Sequence, residues 1–222
     1  MSYQFDFGVI AEHGPELLHG CLQTLQLSAL SIALALALAL VLLLGLRSCY
    51  TALHWPIVAF IEVVRNTPFL VQIFVLFFGL PVLGVRLSPA TAAVLALTLN
   101  GAAYVTEIIR GGLESISKGQ TEAGLALALR PLQVFRHVIL KPALRAIYPA
   151  LVSQFIFLML TSSIVSSISA DELTHVAAVL EGRTFRSFEI YFAVAGLYLA
   201  MSMLLSAVFA FIYRATLNYP SR

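Results

Sequence analysis

The sequence predicts an all-α integral membrane protein with five transmembrane helices, and three observations carry that expectation. The chain is 60% hydrophobic and only 11% charged, against roughly 25% charged in a soluble domain. Its mean hydropathy is +0.93. Five stretches lack Asp, Glu, Lys and Arg: Gly20–Leu46, Asn66–Val85, Leu87–Thr106, Ala146–Ala170 and Ile190–Tyr213. Each reaches the roughly 20 residues that cross a hydrocarbon core as a helix. Barrel strands would be about half as long and would alternate. Residues 1–222 read as one transmembrane domain, with helices at 19–46, 66–85, 87–110, 146–169 and 190–213 and a polar connection at 112–142.

The first helix centres on LSALSIALALALALVLLLG. Ala and Leu both favour helix. The Ala positions admit close packing by a neighbour; a helix chosen only for contact with lipid fits equally well. The stretch 48–61 is too short for a span and contains Pro56, so it reads as an interfacial lead-in to the second span. A tilted helix over 54–76 is the alternative, and it would need partners for Glu62 and Arg65.

The second span carries RNTPFLVQIFVLFFGLP. Pro68 suits a helix start or a kink. Gln72 follows one turn later, and an intramembrane amide needs a partner or a polar path. The third span carries Thr98, Asn100, Tyr104 and Glu107. Asn100, Tyr104 and Glu107, spaced four and three apart, share one helical face. Glu107 and Arg110 are spaced for a local i,i+3 pair. The face serves either local structure or a solute path.

Gly111 and Gly112 then weaken the helix. Short helices are expected over 113–116 and 121–130, with Thr121 or Gly119 at the start of the second and Glu122 in its first turn, where negative charge suits exposed N–H groups. Pro131 is expected to interrupt that helix and Pro142 to make another break before the fourth span. Ser162 and Ser163 close the fourth span with hydroxyls that bond across helices or to their own backbone.

Basic residues set an orientation. With the N-terminus outside, ten Lys and Arg fall inside: Arg47, Arg65, Arg110, Lys118, Arg130, Arg136, Lys141, Arg145, Arg214 and Arg222. Only Arg86, Arg183 and Arg186 fall outside. This positive-inside bias places the C-terminus and the 112–142 block in the cytoplasm. The first apolar run is too long, and lacks the basic flank, for an ordinary secretory leader.

Several function classes recede. A net charge of +2 is accounted for by topology, so no nucleic-acid partner is expected. The five histidines have no metal-ligand spacing. Cys21 and Cys49 would stand ~42 Å apart along the first helix, too far to pair. No phosphate-cradling GxxxxGK[ST] occurs, so the chain is not expected to hydrolyse ATP alone. No convincing catalytic constellation appears, which leaves a membrane enzyme as a weak alternative.

Four stretches carry a more specific signal: RNTPFLVQIF from Arg65, AAYVTEIIRGGLESISKGQTEAG from Ala102, RHVILKPALR from Arg136, and DELTHVA with TFRSFEIYFAVAGLYL within 171–199. In order and spacing the chain resembles the permease subunit of bacterial ABC importers for polar amino acids. The resemblance implies a type I ABC importer permease fold in the bacterial inner membrane. It implies a coupling loop within 112–142, with Gly119, Gln120, Glu122, Ala123, Ala128 and Leu129 as candidates for ATPase docking. It implies Gln72, Asn100, Tyr104, Glu107, Ser162 and Ser163 as candidates for the translocation path. The implied partners are two cytoplasmic ATP-binding subunits, which would use ATP and Mg, a second identical or paralogous permease, an amino-acid-binding protein outside, and membrane lipid. No cofactor is implied in this chain. The sequence departs from the family pattern at Gly124, where a second Ala is usual, at Ala128, where glycine is usual, and at Pro142, displaced by one position. Leu160–Ile164 stands where a charged pair often precedes the corresponding segment. A channel or secondary transporter without an ATPase is the runner-up.

Overall fold

The computed structural model describes residues 4–48 and 50–216. The described residues are helical with short connections. In chain order the helices are α1 (Gly8–Glu12), α2 (Gly14–Leu46), α3 (Thr51–Arg65), α4 (Phe69–Phe74), α5 (Pro89–Glu114), α6 (Lys118–Ala126), α7 (Pro131–Val134), α8 (Leu140–Thr161), α9 (Leu173–Thr184) and α10 (Ser187–Thr216). Wide π turns at Val75–Gly79 and Phe135–Ile139 continue α4 and join α7 to α8. Tight 3₁₀ turns at Leu80–Leu83 and Ser162–Ile168 end α4 and α8. Four segments are long and apolar enough to cross a membrane: α2, α5, the run Pro131–Ile168, and α10. The pair α3 and Phe69–Leu83 makes a fifth if counted together, bent by 113°.

The second expected span, 66–85, is helical over Phe69–Leu83, and its lead-in is itself a helix that meets it at a sharp bend. Thr51–Arg65 is a full helix, and the chain turns sharply before Phe69. The cause is local: Pro68 has no N–H to extend α3 and holds Thr67 away from helical geometry. Asn66 Nδ2 donates to the Glu62 carbonyl at 2.8 Å, and Thr67 Oγ1 donates to the Val63 carbonyl at 2.8 Å. The Thr67 bond satisfies a carbonyl that the helix end leaves open, and the Asn66 amide adds a second donor to the Glu62 carbonyl.

Other boundaries differ from expectation for equally local reasons. The first helix begins at Gly14 rather than 19, with Pro15 in its opening turn, where a missing N–H costs nothing. Ser88 caps α5 by accepting from Thr91 N at 3.2 Å, and Pro89 opens it. Gly111 and Gly112 do not break α5, which runs to Glu114. Gly112 is buried, and a Cβ there would collide with Ile147 of α8; the residue permits close packing rather than a stop. No separate helix forms over 113–116. Pro142 makes no break either: it lies in the first turn of α8, just after the π turn. The fifth helix is longer than 190–213, and α9 was not anticipated.

Helix α5 is the hub, touching α2, α3, α4 and α8. The close α2–α5 pairing rests on small residues. Ala35 and Ala39 are buried while Leu34, Leu40 and Leu44 face outward, so the Ala-Leu run separates into a packing face and an outer face. One apolar cluster joins Ala39, Leu43, Val105, Ile109, Ile147 and Phe155. A second joins Ile73, Ala96, Leu97, Leu158 and Val165. A third seats α9 against α2 and α10 through Leu17, Cys21, Leu173, Leu180 and Ile190. Cys21 is free; Cys49 lies outside the described residues, as does Arg222.

Candidate functional site

The polar face of α5 meets the α3–α4 corner. Asn100 is 6% exposed, and its Nδ2 donates to Gln72 Oε1 at 3.0 Å. Gln72 Nε2 in turn faces the Val64 carbonyl at 2.7 Å, the Thr67 carbonyl at 3.0 Å and Thr67 Oγ1 at 2.9 Å. One turn along α5, the Tyr104 hydroxyl donates to the Arg65 carbonyl at 3.3 Å, and the Arg65 guanidinium lies 5.7 Å from the Tyr104 ring centroid. At the next turn Glu107 accepts from Arg110 at 2.9 and 2.7 Å and from Arg65 at 3.4 Å. Arg110 also reaches Glu114 at 2.9 Å.

All four path candidates expected in this region are thus brought together, and their polar atoms engage one another and the backbone of residues 64–67. The i,i+3 pair of Glu107 and Arg110 forms. Each group has a partner where the surroundings are apolar, as burial requires. The polar face of α5 bonds the bent segment through side chains, while Ile73 packs it against Ala96 and Leu97.

Ser162 and Ser163 do not join this group. Ser162 is fully buried and donates to the Met159 carbonyl at 2.6 Å; Ser163 donates to the Leu160 carbonyl at 2.8 Å. Of the two expected roles, the local backbone bond is the one made. These hydroxyls satisfy carbonyls where α8 tightens into its 3₁₀ turn, beside α4 and α5.

The connection 112–142 folds as a compact hooked unit. Helix α6 starts at Lys118, after Ser117, and ends at Ala126. It starts and ends earlier than the expected 121–130, so Glu122 lies mid-helix, not in the first turn. Gly119, Gln120, Glu122 and Ala123 are exposed. Gly124 is buried against Val134, where a Cβ would lie 3.0 Å from Val134 Cγ2. That contact is a steric reason for the glycine in place of a second Ala. The helix closes with two bonds, Ala128 N to the Leu125 carbonyl at 2.9 Å and Leu129 N to the Gly124 carbonyl at 3.2 Å. This Schellman closure puts Ala128 in the left-handed region at φ 59°. The residue keeps the glycine conformation without being glycine, at about 1 kcal/mol of backbone strain. Leu129 is half-buried, while Leu125, Leu127 and Leu132 are exposed. Pro131 does not interrupt α6, which has already ended. It opens α7, where Arg130 N donates to Gln133 Oε1 at 2.8 Å.

Two sets of functional-looking residues were missed from sequence. Arg65 and Thr67 complete the corner: Arg65 lies 39 and 42 residues from its partners Tyr104 and Glu107 on α5, Thr67 bonds Gln72 within the corner, and spacing along one helix cannot reveal the long-range contacts. Glu172 is fully buried at the start of α9. It accepts from His175 N at 2.7 Å and from the Tyr198 hydroxyl at 2.6 Å, while Leu173 N donates to Thr24 Oγ1 at 3.0 Å. It caps α9 through that His175 bond, a role sequence does not signal because glutamate is not among the preferred N-cap residues. Among the described residues no His, Cys, Asp and Glu group has metal-binding geometry.

Known proteins share this sequence and fold. The family described as "Binding-protein-dependent transport system inner membrane component" matches residues 37–217. The glutamine transport system permease protein GlnP of Escherichia coli K12 is 38% identical over 92% of this chain and 94% of its own. The probable amino-acid ABC transporter permease protein YckA of Bacillus subtilis is 34% identical over 94% of this chain and 92% of its own. A crystal structure of an amino acid ABC transporter with histidines superposes with a TM-score of 0.90 at 33% identity, covering 96% of this chain and all of that one. An inward-facing MetNI methionine ABC transporter shares the fold at a TM-score of 0.74 and 23% identity, over 92% of this chain and 97% of its own. The fold is that of type I ABC importer permeases, and the chain belongs to the family of binding-protein-dependent transport system inner membrane components.

Proposed function

We propose that this chain forms half of the translocation pathway of an ATP-driven importer for a polar amino acid. The observation that carries the reading is the near full-length match to a glutamine permease, aligned with a polar α5 face in an otherwise apolar bundle. An amino-acid-binding protein delivers the solute outside. Two ATP-binding subunits, using ATP and Mg, act from the cytoplasm, and a second identical or paralogous permease completes the path. The N-terminus lies outside and the C-terminus inside, supported by the ten-to-three basic asymmetry.

Within that reading, Gln72, Asn100, Tyr104 and Glu107 border the path, and their bonds to the α3–α4 corner change as the corner moves. Ser162 and Ser163 shape the neighbouring turn. Gly119, Gln120, Glu122, Ala123, Ala128 and Leu129 lie on the coupling unit, where exposed Leu125 and Leu127 offer apolar surface to an ATP-binding subunit. Helix–loop coupling of this kind transmits a conformational preference between sites, which is distinct from contact with the solute.

Reconstitution in liposomes with the cognate ATP-binding subunit and binding protein tests the reading. Uptake of at least one polar amino acid should require ATP, the binding protein and this chain together. Equal flux without ATP would instead support a channel or secondary transporter.

A further inference from the structure

A polar cavity also borders Glu107. Its volume is about 370 Å³, and Leu43, Arg47, His54, Glu62, Arg110 and Glu114 contribute to its lining together with Glu107. It is bounded by the end of α2, by α3 and by the last turns of α5. Nothing in the transport reading uses its mouth.

Its charge balance narrows what it can hold. Arg65, Glu107, Arg110 and Glu114 form a chain of ion pairs, two positive and two negative, so they cancel. Two charges remain at the cavity. Arg47 has no ion-pair or side-chain hydrogen-bond partner among the described residues. Glu62 accepts only from the neutral Asn66 amide, at 3.0 Å, and a carboxylate has lone pairs to spare. The cavity therefore presents one unmatched cation and one unmatched anion. Leu43, Val58 and Ile61 supply apolar wall.

The sequence around the cavity has the marks of a membrane–water boundary. Arg47 is the first basic residue after the uncharged run from Gly20. Tyr50 and Trp55, which follow within eight residues, are 76% and 66% exposed, as aromatic residues are at a membrane–water boundary.

We propose that this cavity binds a zwitterion carrying a primary ammonium and an anionic group, the anion on Arg47 and the ammonium on Glu62. A purely anionic ligand would leave Glu62 unmatched. A quaternary ammonium would offer Glu62 no N–H donor. Two sources carry the required chemistry, the headgroup of an ethanolamine phospholipid and a free amino acid.

Binding to the purified full-length chain separates them. The probes are dioctanoyl-phosphatidylethanolamine, its phosphatidylglycerol and phosphatidylcholine counterparts, and free glutamine, followed by native mass spectrometry. The expected result is preferential retention of the ethanolamine lipid over the other two lipids, or saturable glutamine binding. In either case R47Q and E62Q should each weaken it about tenfold, the loss of one charge-assisted contact. Arg47→Lys should keep most of the binding and guards against a folding artefact. Ethanolamine preference alone assigns a lipid site; glutamine binding weakened by both substitutions assigns an amino-acid site. Equal retention of all three lipids, with glutamine binding absent or unchanged in R47Q and E62Q, overturns the proposal. That failure would leave the uptake experiment untouched.

Discussion

Helices α5 and α10 are both long and apolar enough to cross a membrane, yet they do opposite work. The most apolar window of α5 has a mean hydropathy of 1.5 and is 67% buried within the chain. That of α10 has a mean of 2.1 and is 6% buried. The more hydrophobic helix is the more exposed one. In a membrane, hydrophobicity directs a helix toward lipid, while contact between helices selects small and polar residues. Helix α5 accordingly buries Ala92, Ala93, Ala96, Asn100, Gly101 and Thr106, while α10 turns Phe192, Leu199, Met203, Leu204 and Phe211 outward.

The sharpest way to break this contrast is to add bulk to both helices. At Gly112, even a Cβ would collide with Ile147; at Gly101 it would lie 2.5 Å from Leu158 Cδ1 and 3.0 Å from Ala35 Cβ. At Gly196 nothing lies within 4 Å. Overpacking costs about 1–3 kcal/mol or more. Gly112→Leu and Gly101→Leu should therefore strip most folded chain from the membrane, and Gly196→Leu should leave it intact. Detergent-extracted yield and thermal melting read this out; equal losses at all three positions would contradict the hub assignment.

Replacing a polar residue on each helix is the next test. Asn100→Leu removes the donor to Gln72 and leaves a half-buried acceptor short of a partner, a cost of about 1 kcal/mol. Ser202 donates to its own helix at Leu199, 2.9 Å away, so Ser202→Leu should be near neutral. The two melting temperatures should separate by several degrees.

One strongly polar tie of α10 runs from Tyr198 to the buried Glu172 at the start of α9. Burial holds the Glu172 carboxyl above the usual carboxylate range, opposed by hydrogen bonds from Tyr198 and from backbone N–H groups. A raised folded-state value means that folding favours the protonated acid. Stability is then greatest below the ordinary carboxylate range and declines as pH rises from there through the folded value. E172Q keeps an oxygen to accept from His175 N and should flatten that slope, a smaller effect measured by melting across pH. An unchanged slope would place its origin elsewhere.

The smallest effect belongs on the outer face. Phe211 is 74% exposed, and Phe211→Leu should shift stability within about 0.5 kcal/mol.

These contrasts show what the sequence could and could not reveal. Spans were legible because charge-free runs of this length have few other uses. The alignment of Asn100, Tyr104 and Glu107 was legible because helical periodicity is local. Their partners were not, since the 113° turn at residues 66–68 brings a distant segment back onto α5, and only tertiary packing fixes that. Gly111 and Gly112 misled in the opposite sense. Glycine weakens an isolated helix, but in α5 the buried Gly112 is what lets α8 approach. In α6, proline and capping signals placed the helix late, because its ends are set by the Schellman closure at Ala128 and by the buried Gly124–Val134 contact.

The central claim is that the polar face of α5 serves transport as well as packing. The direct test is ATP-driven amino-acid uptake in proteoliposomes, at matched amounts of folded chain, for wild type, N100D and S202A. N100D keeps size and polarity but replaces the amide donor to Gln72 with a carboxylate. The account predicts uptake reduced about tenfold in N100D, the scale of one lost buried hydrogen bond, and unchanged in S202A. Uptake by N100D equal to wild type would contradict it.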